Sequence, residues 1–474
     1  MSRVVGPFPK ASRCARIVLA SALLCTGLDS HPQRSPAQPV PRYMSFEEAK
    51  LSLEQYRQSN LPGSEMTMEA EWNHWIRLQD SEVRSRIDRG VEDSISNFVL
   101  YGTSYTKLSR LSGTDEALEP SGEISPAARK RILALVTALT GSQGSERLEF
   151  IKRFLVEKRI AREQFSDYLA ANLVRFAGEQ RAYQRTLEHA GKAGDANEVL
   201  AVRGTLYEKR GLSVDTSLLP NFAIEETLRA LVDKSVLKRA SVSRIVIIGP
   251  GLDFTDKRDG YDFYPLQTIQ PFAVLETVKR LHLAEGQLVR VVTFDLNAAV
   301  NAHMAQLSQR ARNEQGYIIQ LPRDTSAAWT TAAVSYWKHF GDYLGSSVRP
   351  LPVPDALPTI ESRAIAVRPE YAASMTPLDL NIVAQTIDVP ESSAFDLVIA
   401  TNVLVYYDVF QQSLAMGNIA QILKPGGIFL ANNSLPAAHD KRLKYLGRKQ
   451  VVFAQDGSYG DDIVVYQRQA ISEP

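Results

Sequence analysis

From Ser243 onward the chain alternates short runs of β-branched residues with helix-length amphipathic stretches, and this alternation limits the fold more than any other feature. "SRIVIIGPG" is a strand running into glycines, and "PLQTIQPFAVLETVKRLHL" a helix with Pro271 in its first turn. "LVRVVTFDLN" and "AAVNAHMAQLSQRARN" repeat the pair. "LNIVAQTIDV", "FDLVIATNV", the helix "VFQQSLAMGNIAQILK" and the strand "IFLANN" then follow. Strands alternating with helices predict a parallel, doubly wound α/β sheet. The end departs from this: "KQVVFAQ" and "DIVVYQR", joined by "DGSYGD", form an antiparallel hairpin.

The strand ends carry the chemistry, because open parallel sheets bind ligands at their carboxyl edge. "FDLVIATNVLVYYD" starts as a buried strand and ends polar and aromatic, which a strand that only closes a core does not need. Gly249 and Gly251 follow the first strand and let backbone approach a ligand, or else make a tight turn. Phe254 stands where a dinucleotide fingerprint wants its third glycine, which disfavours NAD. Asp295 closes the second strand. It can accept both ribose hydroxyls of a nucleoside, or cap the helix that begins near Asn297.

Glycine turn, acidic strand end, "FDLVIATNVLVYY" and "LKPGGIFLANN", in that order, resemble class I S-adenosylmethionine-dependent methyltransferases. "NVLVYY" is similar to the corresponding run of the chemotaxis-receptor glutamate methyltransferases. The resemblance covers about Ser243 to Arg468. It implies a Rossmann-like methyltransferase sheet with S-adenosylmethionine as cofactor. Gly249 and Gly251 would border the methionine part, with Asp253 in place of the family's third glycine. Asp295 would meet the ribose, Gln385 in "AQTIDVP" the adenine, and Asn402 the sulfonium. Asn402 and Tyr406 would position the acceptor, a small molecule or a protein. "PGG", Pro425 to Gly427, is a structural turn. The alternative is a non-catalytic binding or scaffold protein that retains the fold.

The loop "DFTDKRDGYDFYP" stretches the glycine turn. Asp253, Asp256, Asp259 and Asp262 alternate with Phe254, Tyr261, Phe263 and Tyr264. It is expected as a surface lid, with Tyr261 and Tyr264 against substrate or adenine, and Gln267 and Gln270 facing the same cleft. Lys257 and Arg258 interrupt the acids and the spacing fits no EF-hand, so no metal is expected. Histidines are scattered without ligand spacing. In "AAWTTAAVSYWKHFGDYLG", Trp329, Tyr336, Trp337 and Phe340 form the core face of a helix within an insertion at 314–377.

Residues 43–237 have helical periodicity throughout, with a Ser45/Glu48 capping box and Ser125-Pro126 opening a helix. They form an α-helical domain ahead of the α/β domain at 238–474. Residues 1–42 combine Arg3, Lys10, Arg13 and Arg16, the apolar run "IVLASALL" and a Pro-rich linker, the layout of an export signal. Export sits badly with S-adenosylmethionine, a cytoplasmic cofactor. Both cysteines, Cys14 and Cys25, lie there, which leaves the rest of the chain without thiol chemistry. A net charge of +1 gives nucleic acid no electrostatic footprint, and no apolar run reaches the roughly 20 residues of a membrane span.

Overall fold

In the computed structural model, the described residues are 39–50, 65–142, 144–193, 210–255, 261–286, 288–432, 440–457 and 459–470. The export-like segment up to residue 38 lies outside them, as do Asp256 and Asp259. From Pro39 the chain is one compact unit. No helix among the described residues is long and apolar enough to cross a membrane.

The strands are β1 (Pro41–Tyr43), β2 (Arg244–Ile248), β3 (Arg290–Asp295), β4 (Tyr317–Asp324), β5 (Gly345–Val348), β6 (Ile360–Val367), β7 (Met375–Asp379), β8 (Gln385–Ile387), β9 (Phe395–Ala400), β10 (Leu423–Ala431), β11 (Leu443–Val452) and β12 (Gly460–Arg468). The helices are α1 (Glu65–Ser85), α2 (Ile87–Tyr101), α3 (Thr114–Ala117), α4 (Pro126–Thr140), α5 (Glu146–Glu157), α6 (Phe165–Ala193), α7 (Leu219–Asp233), α8 (Gln270–Arg280), α9 (Ala298–Arg312), α10 (Thr331–His339), α11 (Pro369–Ala373) and α12 (Val409–Ile422).

Seven strands form the main sheet in the order β11-β12-β10-β9-β2-β3-β7. β10, β9, β2, β3 and β7 are parallel, while β12 runs antiparallel to both β10 and β11. This is a doubly wound, Rossmann-like sheet closed by a C-terminal antiparallel hairpin and preceded by helices. Alternation along β2 splits its side chains between two cores. Ile245 and Ile247 join α7 and α8 on one face, and Val246 and Ile248 join α12 on the other. All four are essentially inaccessible. Each contributes about 1.5–3 kcal/mol of burial, which is why the strand is apolar on both sides.

Two expectations change. The third parallel strand is β7, which straddles the end of the stretch assigned to the insertion, not "LNIVAQTIDV". Pro377 sits within β7 opposite Thr293, and a proline is tolerated there because β7 is the edge of the sheet. Gln385–Ile387 pairs instead with β1, far along the chain. The rest of the insertion makes a second sheet, β4-β6-β5, against which α10 packs. Tyr336 and Trp337 are buried there, and the Trp337 indole N–H donates to the Leu321 carbonyl at 3.1 Å.

The helical layer ahead of the sheet has its own core, built on Ile95, Phe98, Ile132, Leu135, Leu148, Ile151 and Leu173. Its caps are those the sequence signals. The Ser125 hydroxyl accepts from the Ala128 N–H, and Ser45 and Glu48 bond reciprocally. Leu252, Phe254 and Leu266, from the loop after β2, complete this core.

Candidate functional site

From β2 the chain moves outward to β3 and β7, then returns to β9 on the opposite side and continues to β10. The winding therefore reverses between β2 and β9, and a crevice opens above the carboxyl ends at such a switch point. A cavity of 740 Å³ occupies it. Its floor is made by strand ends: Gly249 after β2, Asp295 on β3, Leu380 after β7, Thr401 and Asn402 after β9, and Asn432 after β10. β12 runs the other way, so its beginning, with Asp461, reaches the same edge. Tyr183 of α6 and the segment 212–217 form the roof.

The glycines have a geometric reason. Gly249 has φ +67°, and a Cβ there would meet Val403 Cγ2 at 2.6 Å. Gly251 has φ +62°, and its Cβ would meet the Val214 carbonyl oxygen at 2.9 Å. That close approach is a pairing: the Leu252 N–H donates to Val214 O at 2.7 Å, and Thr216 N–H to Leu252 O at 3.0 Å. The loop after β2 thus holds the roof segment in place.

Asp295 is half-buried at the cavity wall. Desolvation pushes its carboxyl up to about 7; Asp379, beside it on β7, adds to the rise, while the N–H groups of Asn297, Leu296 and Gly251 oppose it. The Asn297 N–H bond to Oδ1 measures 2.8 Å. The cap of α9 is Asn297 itself, whose side chain accepts from the Ala299 N–H at 2.9 Å. Asp295 is therefore not the helix cap. The Asn297 side-chain amide nitrogen and the Thr255 hydroxyl, both on buried residues of this wall, have no protein partner.

Asn402 has φ +57°, a left-handed conformation that asparagine tolerates better than most residues. Its N–H donates to Asn432 Oδ1 at 2.7 Å, and Asn432 Nδ2 donates back to Asn402 Oδ1 at 2.6 Å. The same Nδ2 lies 3.4 Å from Asp461 Oδ1. Desolvation pushes the Asp461 carboxyl up to about 6, against the Asn432 and Asp462 hydrogen bonds. Tyr406 also lines the cavity, and its carbonyl accepts from Arg86 Nη1 at 2.8 Å. Among the described lining residues three are charged, Asp215, Asp295 and Asp461, and all three are acids.

Five expected site residues are placed elsewhere. Asp253, Tyr261, Tyr264 and Gln267 do not line the cavity; each is under 5% exposed. Asp253 Oδ2 accepts from the Tyr264 hydroxyl and from Gln267 Nε2, both at 2.9 Å, and Gln267 continues to the backbone of Gln320. Arg147, 1% exposed, explains the burial: its guanidinium donates to the carbonyls of Asp253, Phe254, Asp262 and Tyr264. The Asp262 carboxylate accepts from the N–H and hydroxyl groups of Thr103 and Ser104. The described parts of this loop are a core segment, not a surface lid. Gln385 is the fifth: its Oε1 accepts from the Asn381 N–H and from Arg84, away from the cavity. Leu380 and Ile382 line the wall where Gln385 was expected. Gln270 does reach the cavity, bonding Thr401 Oγ1 at 2.6 Å.

Asn432 carried a usable signal, since "IFLANN" ends in amides at a carboxyl edge as "VVTFD" ends in an acid. Asp461 and Asp215 carried none, because their placement depends on the antiparallel return of β12 and on the roof segment. No group of three or more His, Cys, Asp or Glu among the described residues could hold a metal ion.

No protein-family model and no curated protein matches the chain. Among solved structures, it is similar to the CMeT domain of the citrinin polyketide synthase. The identity is 13%, with 91% of this chain and 99% of that one covered, at a TM-score of 0.25. It is also similar to an O-methyltransferase family protein from Burkholderia thailandensis. There the identity is 10%, with 73% and 94% covered, at a TM-score of 0.23.

Proposed function

We propose that the cavity binds S-adenosylmethionine and that the chain transfers its methyl group to an acceptor held beside it. The observation that carries this is the character of the cavity: it sits at the switch point of the sheet, and its described charged residues are all acids. A nucleoside bearing a sulfonium cation suits such a place.

The wall residues fit the parts of that molecule. Asp295 and the unpartnered Asn297 amide offer an acceptor and a donor for ribose. Phe294, Leu380 and Ile382 offer an apolar seat for adenine, and Gly249 lets backbone approach. When bound, the cofactor supplies an activated methyl group. The chain's task is then to orient the acceptor and exclude water. Asn402 and Tyr406 are the residues we assign to that orientation.

Calorimetric titration with S-adenosylhomocysteine and S-adenosylmethionine is the test. Micromolar binding supports the reading, and no heat at millimolar ligand sinks it. The second reading, a scaffold that retains the fold, draws on Asp253 standing where the resembling family has glycine, and predicts the null titration.

A further inference from the structure

We infer that Asp461 marks the acceptor end of the cavity and selects a neutral hydroxyl or amine compound over a carboxylate or phosphate. This rests on the methyl-transfer reading, which by itself leaves the acceptor open.

Asp295, Asn297 and Leu380 occupy the β3–β7 side of the switch point, where the nucleoside is placed. Asn402, Asn432, Tyr459 and Asp461 occupy the β9–β10–β12 side. The two asparagines bond each other through two hydrogen bonds, so their amides are oriented before any ligand arrives. Asn432 also contacts one carboxylate oxygen of Asp461, Oδ1, which accepts the Asp462 N–H at 3.1 Å as well. Asp461 itself lines the cavity. A carboxylate oxygen there accepts; it offers nothing to an anion.

An incoming carboxylate or phosphate would face Asp461 with no lysine, arginine or histidine among the described lining residues to offset it. Like charges at a few ångströms in a desolvated site are strongly unfavourable. A hydroxyl or amine instead donates to Asp461, and that hydrogen is the one an alkylated oxygen or nitrogen must release. The partly desolvated state of Asp461, whose carboxyl lies near 6, makes it a better hydrogen-bond acceptor than an ordinary surface aspartate.

Phenol and benzoate, of similar shape and opposite in this respect, are the probes. Both are titrated into the full chain at pH 8 by ligand-observed NMR, with and without S-adenosylhomocysteine. Phenol should bind at least tenfold more tightly than benzoate. In Asp461→Asn the ratio should fall below threefold, because the charge is gone while the shape remains. Equal binding of the two probes by the unaltered protein overturns the inference, as does a ratio that persists in Asp461→Asn. Should that variant fail to fold, Asp461→Ser and the ratio in the unaltered chain decide. S-adenosylhomocysteine binding is read separately: its loss removes the cofactor reading, whereas a lost probe ratio removes only the acceptor assignment.

Discussion

Replacing Asp295 with alanine separates a ribose-binding role from a structural one. In the folded chain its carboxyl accepts backbone N–H groups and faces the cavity. Two charge-assisted hydrogen bonds to ribose hydroxyls contribute about 1.5–3 kcal/mol each at most, and competition with water reduces the sum. A net loss of about 2 kcal/mol corresponds to roughly thirtyfold weaker S-adenosylhomocysteine binding at pH 8. Stability should move differently. Burial raises the carboxyl from 3.8 to about 7, so between those values the folded chain holds a proton that the unfolded chain has released. The associated stability is full below pH 4 and is lost as pH rises through 7. Three pKa steps set a ceiling of about 4 kcal/mol, and the opening to the cavity brings this nearer 2. The alanine variant should therefore show a flatter stability profile from pH 4 to 8. At pH 8 it should be about as stable as the parent, the lost Asn297 bond offsetting the relieved charge. In the parent, affinity should weaken as pH falls from 8 to 5.5, because a protonated carboxyl accepts fewer hydrogen bonds. Calorimetry and urea denaturation read the two quantities. A variant that binds like the parent but unfolds about 1 kcal/mol more easily would refute the ribose role.

Gly249→Ala places a Cβ 2.6 Å from Val403 Cγ2 at a positive φ. It should cost about 1–3 kcal/mol in urea denaturation and weaken S-adenosylhomocysteine at least tenfold; a neutral result would show that Val403 moves aside freely. Arg147→Met strips four carbonyls of their donor in a buried site. At about 1–3 kcal/mol per unsatisfied group it should lower stability by at least 3 kcal/mol, and a loss under 1 kcal/mol would count against Arg147 as the anchor of the loop. Hydrogen exchange at 261–266 should be slow and unchanged by S-adenosylhomocysteine, since these residues are core. Protection that appears only with ligand would restore the lid.

How far the sequence was legible follows from the range over which each signal acts. β2 and β9 announce themselves because both their faces are buried, which demands consecutive apolar residues. β7 was hidden by Pro377, whose place depends on being at the edge, a fact of sheet order that no local window contains. Gly249, Asp295 and Asn402 were visible as strand ends, and the cavity has them in its wall. Tyr261 and Tyr264 lie deep because the carbonyls of their loop are bound by Arg147, more than a hundred residues earlier, and Gln267 is held by Asp253 and Gln320. An acidic, aromatic loop looks solvated until the guanidinium that binds its carbonyls is known.

That same burial bears on the missing third glycine, the strongest sequence objection to cofactor binding. A glycine is required where φ is positive or where a Cβ would obstruct a close approach. Gly249 and Gly251 meet the first condition; Asp253 is not among the residues with positive φ. Nor does its side chain obstruct, because it does not line the cavity and its carboxylate is held by Tyr264 and by Gln267, which is itself tied to β4. The aspartate thus replaces glycine at a position where this backbone makes no use of glycine's freedom. What it adds is an anchor within the loop, through Tyr264 and Gln267, while Arg147 ties the loop's carbonyls to the helical layer. Gln267 is the residue that tests this. Gln267→Leu leaves Asp253 with one fewer donor in a buried site, about 1–3 kcal/mol. It should loosen the loop, seen as faster exchange at 252–255, before it alters S-adenosylhomocysteine affinity. Equal losses of both would mean that Asp253 serves the cavity directly, and the objection would stand.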